Sequence, residues 1–585
     1  MQETTGTLEH RVQTHIEYIY QDVDAIQDYH LLAHKIIQAA QIETQQKQQV
    51  ASTELWSQED IAVITYGDTL LRKGQVPLIT LKDFLDRHMQ GVINIVHLLP
   101  FFPFSSDDGF AVKDYRSVNP VLGEWKHIND IARDYKLMAD CVVNHCSSQS
   151  LWFEHFIANE GEGKDFFFTA FPEDDISKVV RPRTNALLRP VQTAKGVQHV
   201  WCTFSHDQVD LNFKNPQVLI EFIKIIRFYL DNGVKIFRLD AIAFLWKVEG
   251  SSCLNLDQTH EIVRLFRTII ERIQPDAIII TETNIPNQEN LSYFGNANEA
   301  HCVYNFSLPP LLLNTFLTGS CRYLKQWMMS MPPAQLGTAY FNFIASHDGI
   351  GLRPAKGLLS HDEINTLIET MQSFGGEISW RTGKDGTERP YEVNITLFDA
   401  LQGTVNGKDD YSEARFLCAH IIMLALEGIP AFYIHSLLAT ENDHQRYAVT
   451  KRKRSINRTQ WDIDDIDQRL ANDNTHHARL HQKLKEIIQI RKQQKAFHPN
   501  ATQFTLHLGD YIFGFWRQSM DRSQSIFSIS NITHQPQELS LLDINLISTE
   551  AWCDLISGEK ISSVDEKICL APYQSMWISN QKLNP

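Results

Sequence analysis

Asp240, Glu282 and Asp348 each stand at the end of a short apolar run, and two of these runs carry a further polar side chain beside the acid. Arg238 precedes Asp240 by two positions, His347 adjoins Asp348, and an earlier run ends on Asp140, Asn144 and His145. A single Asp at a strand end reads as a cap for the following helix. Three carboxylates at three strand ends read differently, because on one mouth they raise each other's pKa unless chemistry or cations compensate. Cleavage of an acetal needs such a set: one carboxylate attacks the anomeric carbon while a second acid protonates the leaving oxygen. On this reading Asp240 is the nucleophile, kept ionised by Arg238 on the same strand face. Glu282 is the general acid/base, kept protonated by a drier or more negative pocket. Asp348 grips sugar hydroxyls when the ring flattens, and His145 and His347 hydrogen-bond the same sugar.

The elements that must position these groups are legible as eight apolar runs: 61–67, 93–100, 137–145, 234–242, 277–283, 301–306, 340–348 and 429–434. They are continuously apolar rather than alternating, as strands buried on both faces should be. Helix-like segments such as 216–232 and 258–273 lie between most of them. This pattern predicts an α/β fold, a (β/α)₈ TIM barrel, although a doubly wound open sheet would look similar. Catalytic groups of a barrel belong at the C-terminal ends of its strands, where these residues fall. The barrel is expected over 56–145 and 211–499. Residues 146–210 exceed one crossover helix and read as an inserted subdomain over the mouth. A second long gap, 349–428, also interrupts the repeat, and the glycine pair at 375–376 in it reads as a loop. Residues 1–55 form an N-terminal extension, helical over 9–50, with a polar, exposed stretch at 39–51. From 500 to 585 the texture alternates and suggests a small antiparallel β domain.

Composition narrows the class. The chain has 585 residues, 43% of them hydrophobic, enough for a large core and more than one packed unit. Its net charge of −16 argues against a nucleic-acid surface. The N-terminal residues lack a basic region followed by an apolar stretch, so no secretory signal is expected and the predicted location is cytoplasmic. The apolar region 416–438 contains His420, Glu427 and His435 and reads as a barrel helix and strand rather than a membrane span. Nine scattered cysteines without a CxxC pair read as reduced core thiols; Cys141 and Cys146 are notable only for flanking a candidate active-site strand end. There is no HExxH, no cysteine–histidine cluster and no phosphate-cradling glycine loop, so neither metal nor cofactor is expected.

The segments around these residues resemble glycoside hydrolase family 13, the α-amylase superfamily. DCVVNH (140–145), FRLDAIAF (237–244), TETN (281–284) and FIASHD (343–348) are similar to its four signature segments, in order. The resemblance implies the same roles for Asp240, Glu282 and Asp348, and sugar contacts from Arg238, His145 and His347. Calcium-binding relatives exist, but no oxygen-ligand loop is visible here. Within the family, 97–125, VVRPR (179–183), FSHDQVDLN (204–212), NFSLPPLLL (305–313), SHDGIG (346–351) and RSINR (454–458) resemble the sucrose phosphorylase subgroup. That likeness covers nearly all of 60–500. It implies a glucose pocket formed with Asp107, stacking on Phe110, a sugar-binding Arg454, and loop arginines Arg181 and Arg183 near phosphate.

The departures concern the acceptor. The N-terminus is longer than in ordinary sucrose phosphorylases, and LRPAKGLLSHDEI after SHDGIG places Arg353 where a cation meets an anionic acceptor; the plainer reading of Arg353 is a loop salt bridge. The chain is thus most similar to long-form relatives typified by glucosylglycerate phosphorylase. Sucrose and glucosylglycerol phosphorylases are the alternatives, a retaining α-glucosidase or glucan transferase a further one, and a family member without catalysis the rival of another class. The expected partners are an α-glucoside, inorganic phosphate and glucose 1-phosphate, with no nucleic acid and no membrane. A homodimer is compatible with the sequence, which leaves oligomeric state, acceptor and physiological direction open.

Overall fold

The computed structural model describes residues 7–24, 26–43, 54–183, 185–382, 387–544, 546–547 and 550–581. Every apolar run named above contributes one strand: β1 (Ala62–Thr65), β2 (Ile95–Leu98), β3 (Lys136–Val142), β4 (Val234–Asp240), β5 (Ile278–Thr281), β6 (Cys302–Tyr304), β7 (Ala339–Phe343) and β8 (Ile429–Tyr433). They are parallel and close into one barrel, β8 pairing with β1 through Ala62 and Ala431. Closure removes the open-sheet alternative. The strands are shorter than the runs, because the polar ends of the runs are already barrel-mouth loops.

The register decides the site. Asp140 on β3 pairs with Arg238 on β4, and Val142 pairs with Asp240. Arg238 in turn pairs with Ile280 on β5, two residues before Glu282. The helices that follow are amphipathic and pack inward; Pro216–Asp231, for example, starts at an Asn215 cap with Pro216 in its first turn.

The N-terminal extension consists of two helices rather than one, α1 (Leu8–Tyr20) and α2 (Tyr29–Ala39), the second capped by Asp28 accepting from Leu31 N–H. α1 buries Val12, Ile16, Ile19 and Tyr20, at about 1.5–3 kcal/mol for each large side chain. It packs on the barrel helix Asp257–Ile273, where His15 contacts Glu261 at 2.6 Å. Most of the polar stretch 39–51 lies outside the described residues.

Residues His145–Ser147 pair antiparallel with Gln208–Asp210, closing the base of the segment expected to be inserted. Between them lie the helix Leu151–Ala158 and the hairpin Leu188–Thr193/Gly196–Trp201. The second long gap holds another hairpin, Glu377–Thr382/Glu388–Asn394, and region 416–438 is the helix Ser412–Ala425 followed by β8. At the C-terminus the strands 502–505, 512–518, 525–531, 575–579 and 553–554 form one antiparallel sheet, in that spatial order. No helix among the described residues is long and apolar enough to cross a membrane. Eight of the nine cysteines are buried, Cys141 and Cys146 among them.

Candidate active site

A pocket with about 480 Å³ of space, part of it open to solvent, lies at the C-terminal ends of the barrel strands. Its lining includes Asp240, Glu282 and Asp348 together, with Arg238, His347, His145, Phe110, Asp107, Arg454 and Arg183. Larger clefts exist elsewhere, but this one holds all three carboxylates. Arg181 and Arg353 are not among its lining residues.

Arg238 is the hub. Its Nη1 contacts both Asp140 and Asp240, the latter at 2.7 Å, and its Nη2 lies 3.9 Å from Glu282. Asp140 also bonds His97 Nε2 at 2.8 Å, so the guanidinium is braced from behind. Ala241, directly after Asp240, takes a left-handed conformation with φ 52° and donates its N–H to Glu282 Oε2 at 3.0 Å. One turn therefore positions both carboxylates.

Burial pushes the carboxyls of Asp240 and Glu282 up, and Arg238 opposes it at both. At Asp240 Arg238 opposes the effect of burial without cancelling it, since the same guanidinium also serves Asp140. The proton retained by the pair belongs on Glu282, since Arg238 is closer to Asp240. Burial works against ionisation of Asp348 too, but there Arg454, His347 and Arg238 prevail and hold it well below the usual carboxylate range. Arg454 reaches Asp348 at 2.5 Å and grips Glu392 with its other nitrogens at 2.9 and 2.6 Å.

His347 is buried, its ring parallel to Phe110 with centroids 5.3 Å apart. Neither ring nitrogen has a hydrogen-bond partner, and Asn284 Oδ1 in the same lining has none. Buried polar atoms left unpaired are uncommon, and these can receive a polyhydroxylated ligand. His145 is already engaged, its Nε2 near Phe110 O and Gln208 Nε2, both at 3.1 Å. Burial lowers the pKa of both histidines, so the rings are neutral. Asp107 has φ 55° and Asp108 φ 48°, a strained pair before Gly109. Asp108 is tied to Arg452 and Arg458, which leaves Asp107 on the cavity, accepting from Gln208 at 3.0 Å. Gly109 is required there: a Cβ would come within 2.8 Å of Pro100.

On the outer side Arg183 lies over the ring of Tyr391, 5.5 Å from its centroid. Burial lowers the pKa of Arg353 and of Arg381, and each also senses Tyr391. Among the described residues no ion pair joins Arg181, Arg183, Arg353 or Arg381 to a carboxylate, although Arg353 feels the charge of Glu289. Sequence reasoning missed Tyr391, Glu392, Arg381, Gln208 and Asn284. Gln208 and Asn284 lay inside motifs already noted. The other three sit on a hairpin whose direction no local pattern reveals.

The α-amylase catalytic-domain model matches residues 88–352. A glucosylglycerate phosphorylase from Spirochaeta thermophila is 41% identical over 89% of this chain and 90% of its own length. The chain belongs to the α-amylase family. Within the family, a sucrose phosphorylase from Agrobacterium vitis is 30% identical over 80% of this chain and 95% of its own. The solved structure of sucrose 6F-phosphate phosphorylase from Thermoanaerobacter thermosaccharolyticum shares the family fold, with TM-score 0.70 and 24% identity over 81% of this chain and 94% of that one.

Proposed function

We propose that this chain is a cytoplasmic, retaining α-glucoside phosphorylase and that its substrate is glucosylglycerate. The observation that carries the reading is the single cavity holding Asp240, Glu282 and Asp348 beside unpartnered buried polar atoms of His347 and Asn284. In the first step an Asp240 oxygen bonds to the anomeric carbon, the glycosidic C–O bond breaks, and the Glu282 proton passes to the departing hydroxyl. In the second, a phosphate oxygen attacks that carbon, the ester to Asp240 breaks, and Glu282 takes up the phosphate's proton. α-Glucose 1-phosphate leaves with retained configuration.

Phosphate must outcompete water, which is far more concentrated. Arg183 on the lining supplies charge-assisted donors for it, with Arg181 two residues before it on the same loop as a second candidate. Glycerate carries a carboxylate, and Arg353 and Arg381 are two cations near Tyr391, with Glu289 the carboxylate whose charge reaches Arg353. The similarity to glucosylglycerate phosphorylase supports the same acceptor. The test is an acceptor panel with α-glucose 1-phosphate: glycerate, glycerol, fructose and fructose 6-phosphate, followed by phosphate release. Glycerate is expected to be fastest. A faster reaction with fructose or glycerol would move the assignment to the corresponding phosphorylase, and glucose release alone would make the enzyme a hydrolase.

A further inference from the structure

We propose that the N-terminal extension carries a binding site for a divalent transition-metal ion, formed by Glu9, His30 and His34. His30 and His34 are one helical turn apart on α2, with ring centroids 4.5 Å apart, so both imidazoles leave the same face. Glu9 stands in the first turn of α1, directly opposite. His30 Nε2 lies 2.9 Å and His34 Nε2 2.5 Å from the same oxygen, Glu9 Oε1.

Hydrogen bonding does not account for this convergence. Glu9 Oε1 is buried and accepts no hydrogen bond from either ring, although both nitrogens are within reach. Three ligand atoms are thus gathered around one point with no hydrogen bond to Glu9 Oε1, and they pair by charge only where an imidazole is protonated. The His side chains are 62% and 47% exposed, so solvent can complete the coordination shell and an ion can enter. Two imidazoles and one carboxylate, with a position left for water, suit zinc and its late first-row neighbours. They do not suit magnesium or calcium, which take oxygen ligands. The ion would clip α1 to α2, and α1 lies on the barrel helix Asp257–Ile273, which follows the strand bearing Asp240. Its place is structural, away from the catalytic cavity. Searching the sequence for HExxH or cysteine–histidine spacing does not find it, because Glu9 joins the histidines only when the two helices fold together.

The experiment uses the full chain without a histidine tag, stripped with a chelator and titrated with Zn²⁺ by calorimetry, with bound metal counted by elemental analysis. The wild type is expected to hold one Zn²⁺ that the His30→Gln/His34→Gln variant lacks, and Glu9→Gln should weaken it. Zn²⁺ should raise Tm in the wild type but not in the double variant, since ligand binding to the folded state alone is stabilising, and Mg²⁺ should leave both unchanged. A His476→Gln variant, which alters the second histidine–carboxylate cluster at Glu441, His476 and His477, should keep the ion. Equal zinc uptake and equal Tm shifts in wild type and double variant would overturn the proposal, as would loss of the ion in the His476 variant. These readouts do not depend on the activity assigned above.

Discussion

The amide of Ala241 donates to Glu282 Oε2 at 3.0 Å, so the residue that follows the proposed nucleophile also holds the proposed acid. A left-handed alanine at this point is strain of the kind that persists at working sites. It couples the two carboxylates geometrically while burial couples them electrostatically.

That coupling predicts a pH-dependent stability difference. Burial raises Glu282, so the folded state binds its proton more tightly than the unfolded chain does. The stabilisation is present below the ordinary value of 4.5 and is lost as pH rises through the raised one. Glu282→Gln, neutral at every pH, should therefore gain Tm relative to wild type on moving from pH 5 to pH 8, while kcat falls by about 10²–10⁴. Calorimetric scans at both pH values check this; a Tm difference that is constant or shrinks with pH would refute it.

Arg183 faces the cavity without a carboxylate partner. A charge-assisted bond to phosphate contributes about 1.5–3 kcal/mol, so Arg183→Ala should lower phosphorolysis roughly 10- to 150-fold. Residual hydrolysis should fall much less. Equal loss of both activities, measured as glucose 1-phosphate against glucose, would remove this role.

Under the proposed function, Arg353 and Arg381 are the residues expected to distinguish the acceptors. Replacing either by Ala should raise the KM for glycerate strongly and leave that for uncharged glycerol nearly unchanged. A parallel rise for both would show that these arginines support the loop rather than bind an anion.

Lys247 ties barrel to insert. Its buried ammonium lies 2.8 Å from Asp210 and 3.0 Å from Asn144 Oδ1, beside His145. Lys247→Met removes the cation beside buried Asp210, which keeps hydrogen bonds from Thr203 and Asn144, and should cost about 3–5 kcal/mol, read by chemical denaturation. A loss below 1 kcal/mol would mean that the pair contributes no more than a surface ion pair.

The barrel was legible because parallel strands covered on both faces must be apolar throughout, and because polar residues interrupt such runs only where the chain reaches the mouth. Asp240, Glu282 and Asp348 were visible for that reason. Tyr391, Glu392 and Arg381 were not, since a hairpin in a long loop takes its direction from tertiary contacts. The bond from Arg454 to Glu392 illustrates this: it joins residues on separate loops whose spacing carries no periodic signal. The break between α1 and α2 was hidden for a related reason, as apolar periodicity on both sides masks a short capped turn.

The most direct test of the central claim is to trap the first step. Glu282→Gln enzyme is mixed with an α-glucosyl donor whose leaving group needs no protonation, quenched in acid, digested and examined by mass spectrometry. A single glucosyl ester on Asp240 is predicted, with phosphate then releasing α-glucose 1-phosphate. No adduct, together with β-configured product, would contradict the account.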